Sequence, residues 1–79
     1  MVDSSDALIL FSKPRCVQCT ATAKWLDSRG VSYEYRDVSA DADAYDVVVS
    51  LGYKQVPVVL HGGEHWSGFD PSKLEAHFA

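Results

Sequence analysis

Two cysteines separated by two residues, Cys16 and Cys19, stand where an apolar run gives way to a helical pattern. At this spacing the first turn of a helix can hold both sulfurs close enough to form a reversible disulfide. Cys16 would then lie near the positive end of the helix dipole, which favours the thiolate, the form that attacks disulfides. The pair therefore predicts thiol–disulfide exchange at a strand–helix junction.

The same two cysteines allow three other interpretations. A structural disulfide would close a loop too small to remove much chain entropy, and there is no third cysteine for a disulfide framework. Half of a zinc site fits the spacing, but the other ligands would have to be His61, His65 or His77. His61 and His65 flank a predicted turn and could approach each other, although their spacing is not that of a zinc finger. Two inert core cysteines are the last alternative, and redox exchange is the favoured interpretation.

Length and charge limit the setting in which this pair works. With 79 residues and 47 % hydrophobic content, the chain is expected to form a single domain over residues 1–79. A formal net charge of −4 and the lack of a basic cluster argue against nucleic acid as a partner. The acidic start is unlike a targeting segment, and no apolar run approaches membrane-spanning length. A small chain with a single cysteine pair and no signal peptide fits a reducing cytosol, so a cytoplasmic protein is expected. We also expect a monomer that binds no membrane.

The hydrophobic pattern of the first half predicts a strand, a helix and a second strand. Residues 7–11 are continuously apolar, as in a strand buried on both faces, and residues 12–15 make a loop. A helix is predicted over residues 16–29, which Gly30 ends, and its buried stripe recurs at helical spacing: Cys19, Ala23 and Leu26. Cys19 should therefore face the core while Cys16 stays at the exposed tip. Residues 33–37 alternate in polarity and predict a half-exposed edge strand.

A second helix is predicted to begin at an N-cap and to bury one apolar face. Ser39 is the predicted cap, with Asp41 and Asp43 in the first turn complementing the helix dipole, and Gly52 ends the helix. Five apolar residues at helical spacing mark the buried face: Ala40, Ala44, Val47, Val48 and Leu51.

The remaining residues predict a hairpin and a last helix. Residues 57–60 form a third strand, which a turn at Gly62 and Gly63 connects to a short strand around Trp66. Asp70 and Pro71 supply an N-cap and a first-turn proline for a helix with two inward residues, Leu74 and Phe78. The order β-α-β-α-β-β-α predicts an α/β fold: a mixed four-stranded sheet with a parallel first pair, an antiparallel final hairpin and helices on both faces.

This sequence resembles the thioredoxin fold in its minimal, glutaredoxin-like form. More specifically it resembles the NrdH-redoxin family, small glutaredoxin-like proteins that behave like thioredoxins. The first matching motifs are Ser12-Lys13-Pro14 before the cysteine pair, and Leu51-Gly52-Tyr53. Two others follow in the same order, Gln55-Val56-Pro57-Val58-Val59 and His65-Trp66-Ser67-Gly68-Phe69. The likeness extends over nearly the whole chain from Ala7 onward.

The resemblance implies a thiol–disulfide oxidoreductase that carries electrons. Cys16 would be the nucleophile and Cys19 the resolving thiol; no cofactor would be bound, and the Cys16–Cys19 disulfide would be the redox-active group. Family members are reduced by a flavin-dependent thioredoxin reductase that draws on NADPH. They pass the electrons to class Ib ribonucleotide reductase, which makes deoxyribonucleotides. These two proteins are therefore the expected partners.

The matching motifs also suggest which residues contact a substrate or partner. The Val56–Pro57 peptide bond is expected to be cis, to face the cysteine pair and to leave the Val56 backbone free for an extended segment of a partner. Trp66 is expected to be an exposed aromatic beside the active-site tip. Lys13 or Arg15 would favour the Cys16 thiolate. The full predicted contact set is Lys13, Val17, Gln18, Val56, Pro57, Trp66, Ser67, Gly68 and Phe69.

One position departs from the family pattern. The family usually has Arg and then Pro-Asp after the Trp-Ser-Gly-Phe motif, where this chain has Asp70-Pro71-Ser72. Asp70 can still cap the last helix, but an Arg-centred polar network to the 51–53 loop, linked in the family to excluding glutathione, cannot form in the same way. Two alternative functions remain open: a glutaredoxin that uses glutathione or another small thiol, and a non-catalytic metal or iron–sulfur binder. Against the first, Val17, Gln18 and Gln55 differ from the residues that glutaredoxins usually carry.

Overall fold

Four strands form one mixed sheet in the computed structural model, which describes residues 8–78. They are β1 (Leu8–Ser12), β2 (Glu34–Asp37), β3 (Val58–His61) and β4 (Glu64–Ser67), in the spatial order β2-β1-β3-β4. β1 is parallel to β2 and antiparallel to β3, and β3 is antiparallel to β4. The predicted mixed sheet is confirmed, with β2 at an edge. The predicted start of β1 at Ala7 and the acidic segment 1–6 lie outside the described residues.

Three helices cover the two faces of the sheet: α1 (Val17–Ser28), α2 (Ala42–Ser50) and α3 (Pro71–Phe78). Successive side chains of a strand point to opposite faces, so the sheet supports two separate apolar clusters. One cluster joins α1 and α3 to the sheet and comprises Leu8, Leu10, Leu26, Val59, Trp66 and Leu74. The other places α2 on the opposite face and comprises Phe11, Ala44, Val48 and Val58. The predicted order β-α-β-α-β-β-α, with helices on both faces, is confirmed.

The N-cap of α2 differs from the prediction. Asp41, not Ser39, caps the helix, because its carboxylate accepts hydrogen bonds from the N–H groups of Asp43 and Ala44 at 3.1 and 3.2 Å. Ser39 instead donates its hydroxyl and its N–H to the Asp37 carboxylate at 2.6 and 2.8 Å. These bonds lower the pKa of the Asp37 carboxyl. The prediction was wrong because an aspartate two residues upstream engages the serine in an Asx turn.

The buried face of α2 is confirmed except at its first residue. Ala44 and Val48 are buried, and Val47 and Leu51 are half-buried against the same cluster. Ala40 is exposed, because with Asp41 as the cap it precedes the helix.

Within residues 8–78, no helix combines the length and the apolarity needed to cross a bilayer.

Candidate active site

Cys16 is the N-cap of α1. Its backbone is extended (φ −110°, ψ 108°), and its sulfur accepts a hydrogen bond from the N–H of Cys19 at 3.1 Å. The two cysteines form a disulfide, and their Cα atoms are 5.2 Å apart. The first turn of α1 contains no acidic residue. A helix N-terminus carries unpaired N–H groups and partial positive charge, so this position stabilises a negatively charged sulfur after reduction.

The two sulfurs differ in how far solvent reaches them. Cys19 is 2 % exposed and lies on the inner face of α1 with Thr22 and Leu26. Cys16 is only half-buried, at the tip of the helix. The prediction that Cys19 faces the core is confirmed. An incoming disulfide therefore meets Cys16 first, with Cys19 directly behind it.

The segment before β3 forms the wall opposite the cysteine pair. The Val56–Pro57 peptide bond is cis, as predicted, and Pro57 is buried. The carbonyl oxygen of Val56 lies 3.8 Å from the Cys16 sulfur. In the disulfide this sulfur has no proton to donate, whereas the reduced thiol can donate to that carbonyl. Val56 thus places a backbone acceptor beside the reacting sulfur.

The turn between β4 and α3 forms a third side of the site. The N–H of Gly68 donates to the carbonyl of Pro57 at 2.9 Å. The N–H of Phe69 donates to the side-chain oxygen of Gln18, between the two cysteines, at 3.0 Å. The structure therefore brings together the predicted residues of three separate motifs. The contact between Gln18 and Phe69 could not be predicted locally, because the two residues are 51 positions apart.

Most of the predicted residues on the rim of the site are exposed. Val17 is 85 % exposed and Phe69 is 36 % exposed, so both the cysteine motif and the β4–α3 turn present an apolar side chain to solvent. Lys13 and Arg15 are also exposed, in the loop that leads into α1. Arg15 has φ +61°, a left-handed conformation that is uncommon for a residue with a side chain and typical of tight turns at functional sites. Ser67 is half-buried at the end of β4.

Trp66 is not the exposed aromatic that was predicted. It is 5 % exposed and belongs to the cluster beneath α1 and α3. The prediction was wrong because Trp66 is directly opposite Val59 in the hairpin, and paired residues of antiparallel strands share a face. Among the described residues its indole N–H finds no hydrogen-bond partner. Phe69 is therefore the aromatic that the rim exposes.

A groove of about 600 Å³ extends from Val56 along α2, and the sequence pattern gave no indication of it. Its lining is mostly apolar, with the ammonium groups of Lys13 and Lys54 as its charged members. Tyr53 lines the groove and its hydroxyl lies 2.7 Å from Nδ1 of His65 in β4. This contact joins the loop before Pro57 to the edge strand β4. Because Val56 also lines the groove, the groove reaches the backbone that faces Cys16.

The three histidines are not gathered around the cysteine pair. His61 and His65, which the sequence allowed to approach each other, have different partners: His61 Nδ1 lies 3.3 Å from Nδ1 of His77, whereas His65 contacts Tyr53. His61 ends β3 opposite Leu8, at the far end of the sheet from the residues that adjoin Cys16. Among residues 8–78, no three His, Cys, Asp or Glu side chains are placed to hold a metal ion.

Sequence comparison matches this chain to glutaredoxins and glutaredoxin-like proteins. The family model described as Glutaredoxin matches residues 8–66. The glutaredoxin-like protein NrdH of Salmonella typhimurium is 37 % identical over 68 residues, covering 86 % of this chain and 84 % of that protein. The NrdH protein of Escherichia coli K12 is 33 % identical, covering 85 % and 83 %. A glutaredoxin of Ricinus communis is 35 % identical, covering 85 % and 70 %.

Comparison with solved structures also finds glutaredoxin-like proteins and glutaredoxins. The glutaredoxin-like NrdH-redoxin of Escherichia coli, a protein with a thioredoxin-like activity profile, superposes with a TM-score of 0.84 at 31 % identity, covering 89 % of this chain and 92 % of that one. A buckwheat glutaredoxin in complex with glutathione superposes with a TM-score of 0.72 at 29 % identity, covering 94 % and 70 %.

The fold, the capped cysteine pair and these matches define a thiol–disulfide oxidoreductase. The chain belongs to the glutaredoxin family and, within it, to the NrdH-redoxins.

Proposed function

We propose that the protein is a dithiol electron donor to class Ib ribonucleotide reductase and is itself reduced by thioredoxin reductase with NADPH. The observation that carries the proposal is the half-buried Cys16 sulfur at the N-terminus of α1, with fully buried Cys19 behind it and the Val56 carbonyl beside it. Such a site reacts with a disulfide that a partner presents in an extended segment. It needs no bound cofactor, because the electrons reside in the two thiols.

Reduction of a target proceeds in two exchanges. The Cys16 thiolate attacks one sulfur of the target disulfide, forms a mixed disulfide and releases the other target sulfur as a thiolate. The Cys19 thiolate then attacks the Cys16 sulfur, closes the Cys16–Cys19 disulfide and releases the second target sulfur. Two electrons have moved to the target, which takes up two protons. Thioredoxin reductase restores the dithiol with two electrons from NADPH.

Two comparisons support this choice of partners. The relatives with the NrdH name cover most of this chain, and the family resemblance associates that name with class Ib ribonucleotide reductase. The Escherichia coli NrdH-redoxin has a thioredoxin-like activity profile, which favours thioredoxin reductase over glutathione as the electron source.

A glutathione-dependent glutaredoxin is the second candidate. The match to a buckwheat glutaredoxin–glutathione complex favours it, and so does Lys13, a cation in the groove next to Val56. Val17, Gln18 and Gln55 disfavour it, because they depart from the usual glutaredoxin residues.

A coupled assay decides between the two candidates. The oxidised protein is supplied with NADPH and thioredoxin reductase, or with NADPH, glutathione and glutathione reductase, and NADPH oxidation is followed. With oxidised class Ib ribonucleotide reductase and a nucleotide substrate added, we expect deoxyribonucleotide only when the thioredoxin reductase arm and an intact Cys16 are both present. Cys16→Ser is the control. Faster reduction by the glutathione arm supports the second candidate and contradicts the first.

A further inference from the structure

The side-chain oxygen of Gln18 is hydrogen-bonded within the protein. Its oxygen accepts the hydrogen bond from the Phe69 N–H at 3.0 Å, although Gln18 lies on the exposed tip of α1. This bond links two segments that are far apart in the sequence, and it must offset the rotamer freedom that the exposed side chain loses when it is held in one geometry. Here those segments are the cysteine motif and the β4–α3 turn.

The same turn is held from its other side by the segment that faces Cys16. Gly68 donates its N–H to the Pro57 carbonyl at 2.9 Å. Gly68 also has φ +84°, and a Cβ at this position would lie only 3.3 Å from the Gln18 side-chain oxygen. A residue without a side chain therefore lets the amide come close to the turn. The turn 67–69 is thus fixed between Pro57 and Gln18.

We propose that Gln18 is a positioning residue for protein substrates, which acts by holding the Gly68–Phe69 turn beside Cys16. The proposal rests on the proposed function, because it concerns disulfides presented by a protein. A protein disulfide contacts the rim of the site, including the exposed ring of Phe69, whereas a small disulfide needs little more than the Cys16 sulfur. The Gln18 oxygen therefore serves substrate binding indirectly, through the turn that it holds.

Two substitutions distinguish the effect of the hydrogen-bond acceptor of Gln18 from the effect of the size of its side chain. Gln18→Met keeps a side chain of similar length and removes the acceptor, whereas Gln18→Glu keeps an acceptor oxygen. Lys24→Met, on the exposed surface of α1, is the control for introducing a methionine on this helix. Each variant reduces insulin, as a protein disulfide, and 5,5′-dithiobis(2-nitrobenzoate), as a small one. Comparing the two substrates within a variant cancels any effect of the Glu charge on the reactivity of Cys16.

We expect Gln18→Met to raise KM for insulin about fivefold with little change in kcat, and to lower the insulin-to-small-disulfide ratio of kcat/KM by the same factor. Gln18→Glu should restore that ratio to within about twofold of the wild type, and Lys24→Met should leave it unchanged. Amide exchange at Phe69, measured by NMR, should accelerate in Gln18→Met and not in Lys24→Met.

Three results would overturn the proposal. They are an unchanged ratio in Gln18→Met, an equal loss with both substrates, and a Glu variant that behaves like the Met variant. The first would mean that the turn does not matter for protein substrates, the second that Gln18 acts on Cys16 itself, and the third that the acceptor is not the cause. Failure of the proposed function has a different signature. The wild type would then fail to support ribonucleotide reductase, while the insulin ratios and the Phe69 amide would still report on Gln18.

Discussion

The backbone N–H of Cys19 points at the sulfur of Cys16, 3.1 Å away, so the buried cysteine supplies a donor to the more accessible one through its main chain. A hydrogen bond to the charged form favours that form. The α1 N-terminus acts in the same direction, and its first turn carries no carboxylate to oppose it. The local backbone therefore distinguishes two cysteines that are chemically identical in the sequence.

Reduced protein should react with alkylating reagents first at Cys16. The sulfur is the more accessible of the two, and the helix terminus favours its thiolate, whereas Cys19 is buried. Labelling with a limiting amount of iodoacetamide at mildly acidic pH, followed by peptide mass spectrometry, measures the order. Preferential labelling of Cys19 would reverse the assigned roles.

Cys19→Ser should trap a mixed disulfide with an oxidised protein target. Attack by Cys16 survives the substitution, but the sulfur that resolves the intermediate is missing. Non-reducing electrophoresis of the variant with oxidised target should show the covalent adduct, and dithiothreitol should cleave it by reducing the mixed disulfide. Cys16→Ser is the matched control and should form no adduct. Multiple turnovers by Cys19→Ser without an added small thiol would rule out the dithiol mechanism.

The bond between the Tyr53 hydroxyl and His65 should stabilise the loop that carries Val56. Tyr53→Phe removes it and should lower the free energy of unfolding by about 1 kcal/mol, the usual net value of such a bond. Tyr45→Phe is the control, because Tyr45 lines the same groove, is 55 % exposed and has no hydrogen bond from its hydroxyl within residues 8–78. Urea denaturation measures both variants. Equal effects would show that the bond does not contribute.

The N-cap of α2 allows a second comparison between two matched variants. Asp41→Ala should lower the free energy of unfolding by about 1 kcal/mol, since it leaves the N–H groups of Asp43 and Ala44 without their acceptor. Ser39→Ala should cost less, because it removes only the hydroxyl bond to Asp37, keeps the N–H bond and leaves no helix N–H group without its acceptor. Thermal unfolding of the two variants ranks them. A larger loss in Ser39→Ala would restore the assignment that the structure contradicts.

Local sequence chemistry predicted most of the fold and the centre of the site. Periodicity located the elements, and Gly30 and Gly52 follow the ends of α1 and α2 as predicted. The apolar stripe of Cys19, Ala23 and Leu26 at helical spacing placed Cys19 on the inner face of α1 and left Cys16 at the tip of the helix, and Cys19 is buried in the structure.

The features that could not be predicted are of two kinds. Some depend on contacts between residues far apart in the sequence, and one depends on which of two nearby residues engages a side chain in a hydrogen bond. Trp66 was expected at the surface because its motif suggested an aromatic beside the active-site tip, yet its pairing with Val59 puts it on the buried face. Gln18 gives no local signal of its bond to Phe69, which requires the β4–α3 turn to return to the tip of α1. Ser39 has the right type for a cap, but the neighbouring Asp37 engages it first.

Asp70, where the chain departs from its family, caps α3 as predicted. Its side-chain oxygen accepts the Lys73 N–H at 3.2 Å, and its backbone carbonyl accepts the Leu74 N–H at 3.1 Å. The carboxylate therefore has a structural role and adds a negative charge next to Phe69, on the rim of the site. A negative charge here and a net charge of −4 both disfavour an anionic tripeptide such as glutathione.

We expect glutathione to reduce the oxidised protein slowly compared with thioredoxin reductase, both in the wild type and in Asp70→Asn. Asparagine caps a helix about as well as aspartate, so Asp70→Asn removes the charge and keeps the cap, whereas Asp70→Arg removes both and should lower the free energy of unfolding by about 1 kcal/mol. Reduction rates with each electron source and urea denaturation of the three proteins test these expectations. Efficient glutathione turnover in the wild type that Asp70→Arg abolishes would mean that the carboxylate recruits the ammonium group of glutathione. The second candidate function would then replace the first.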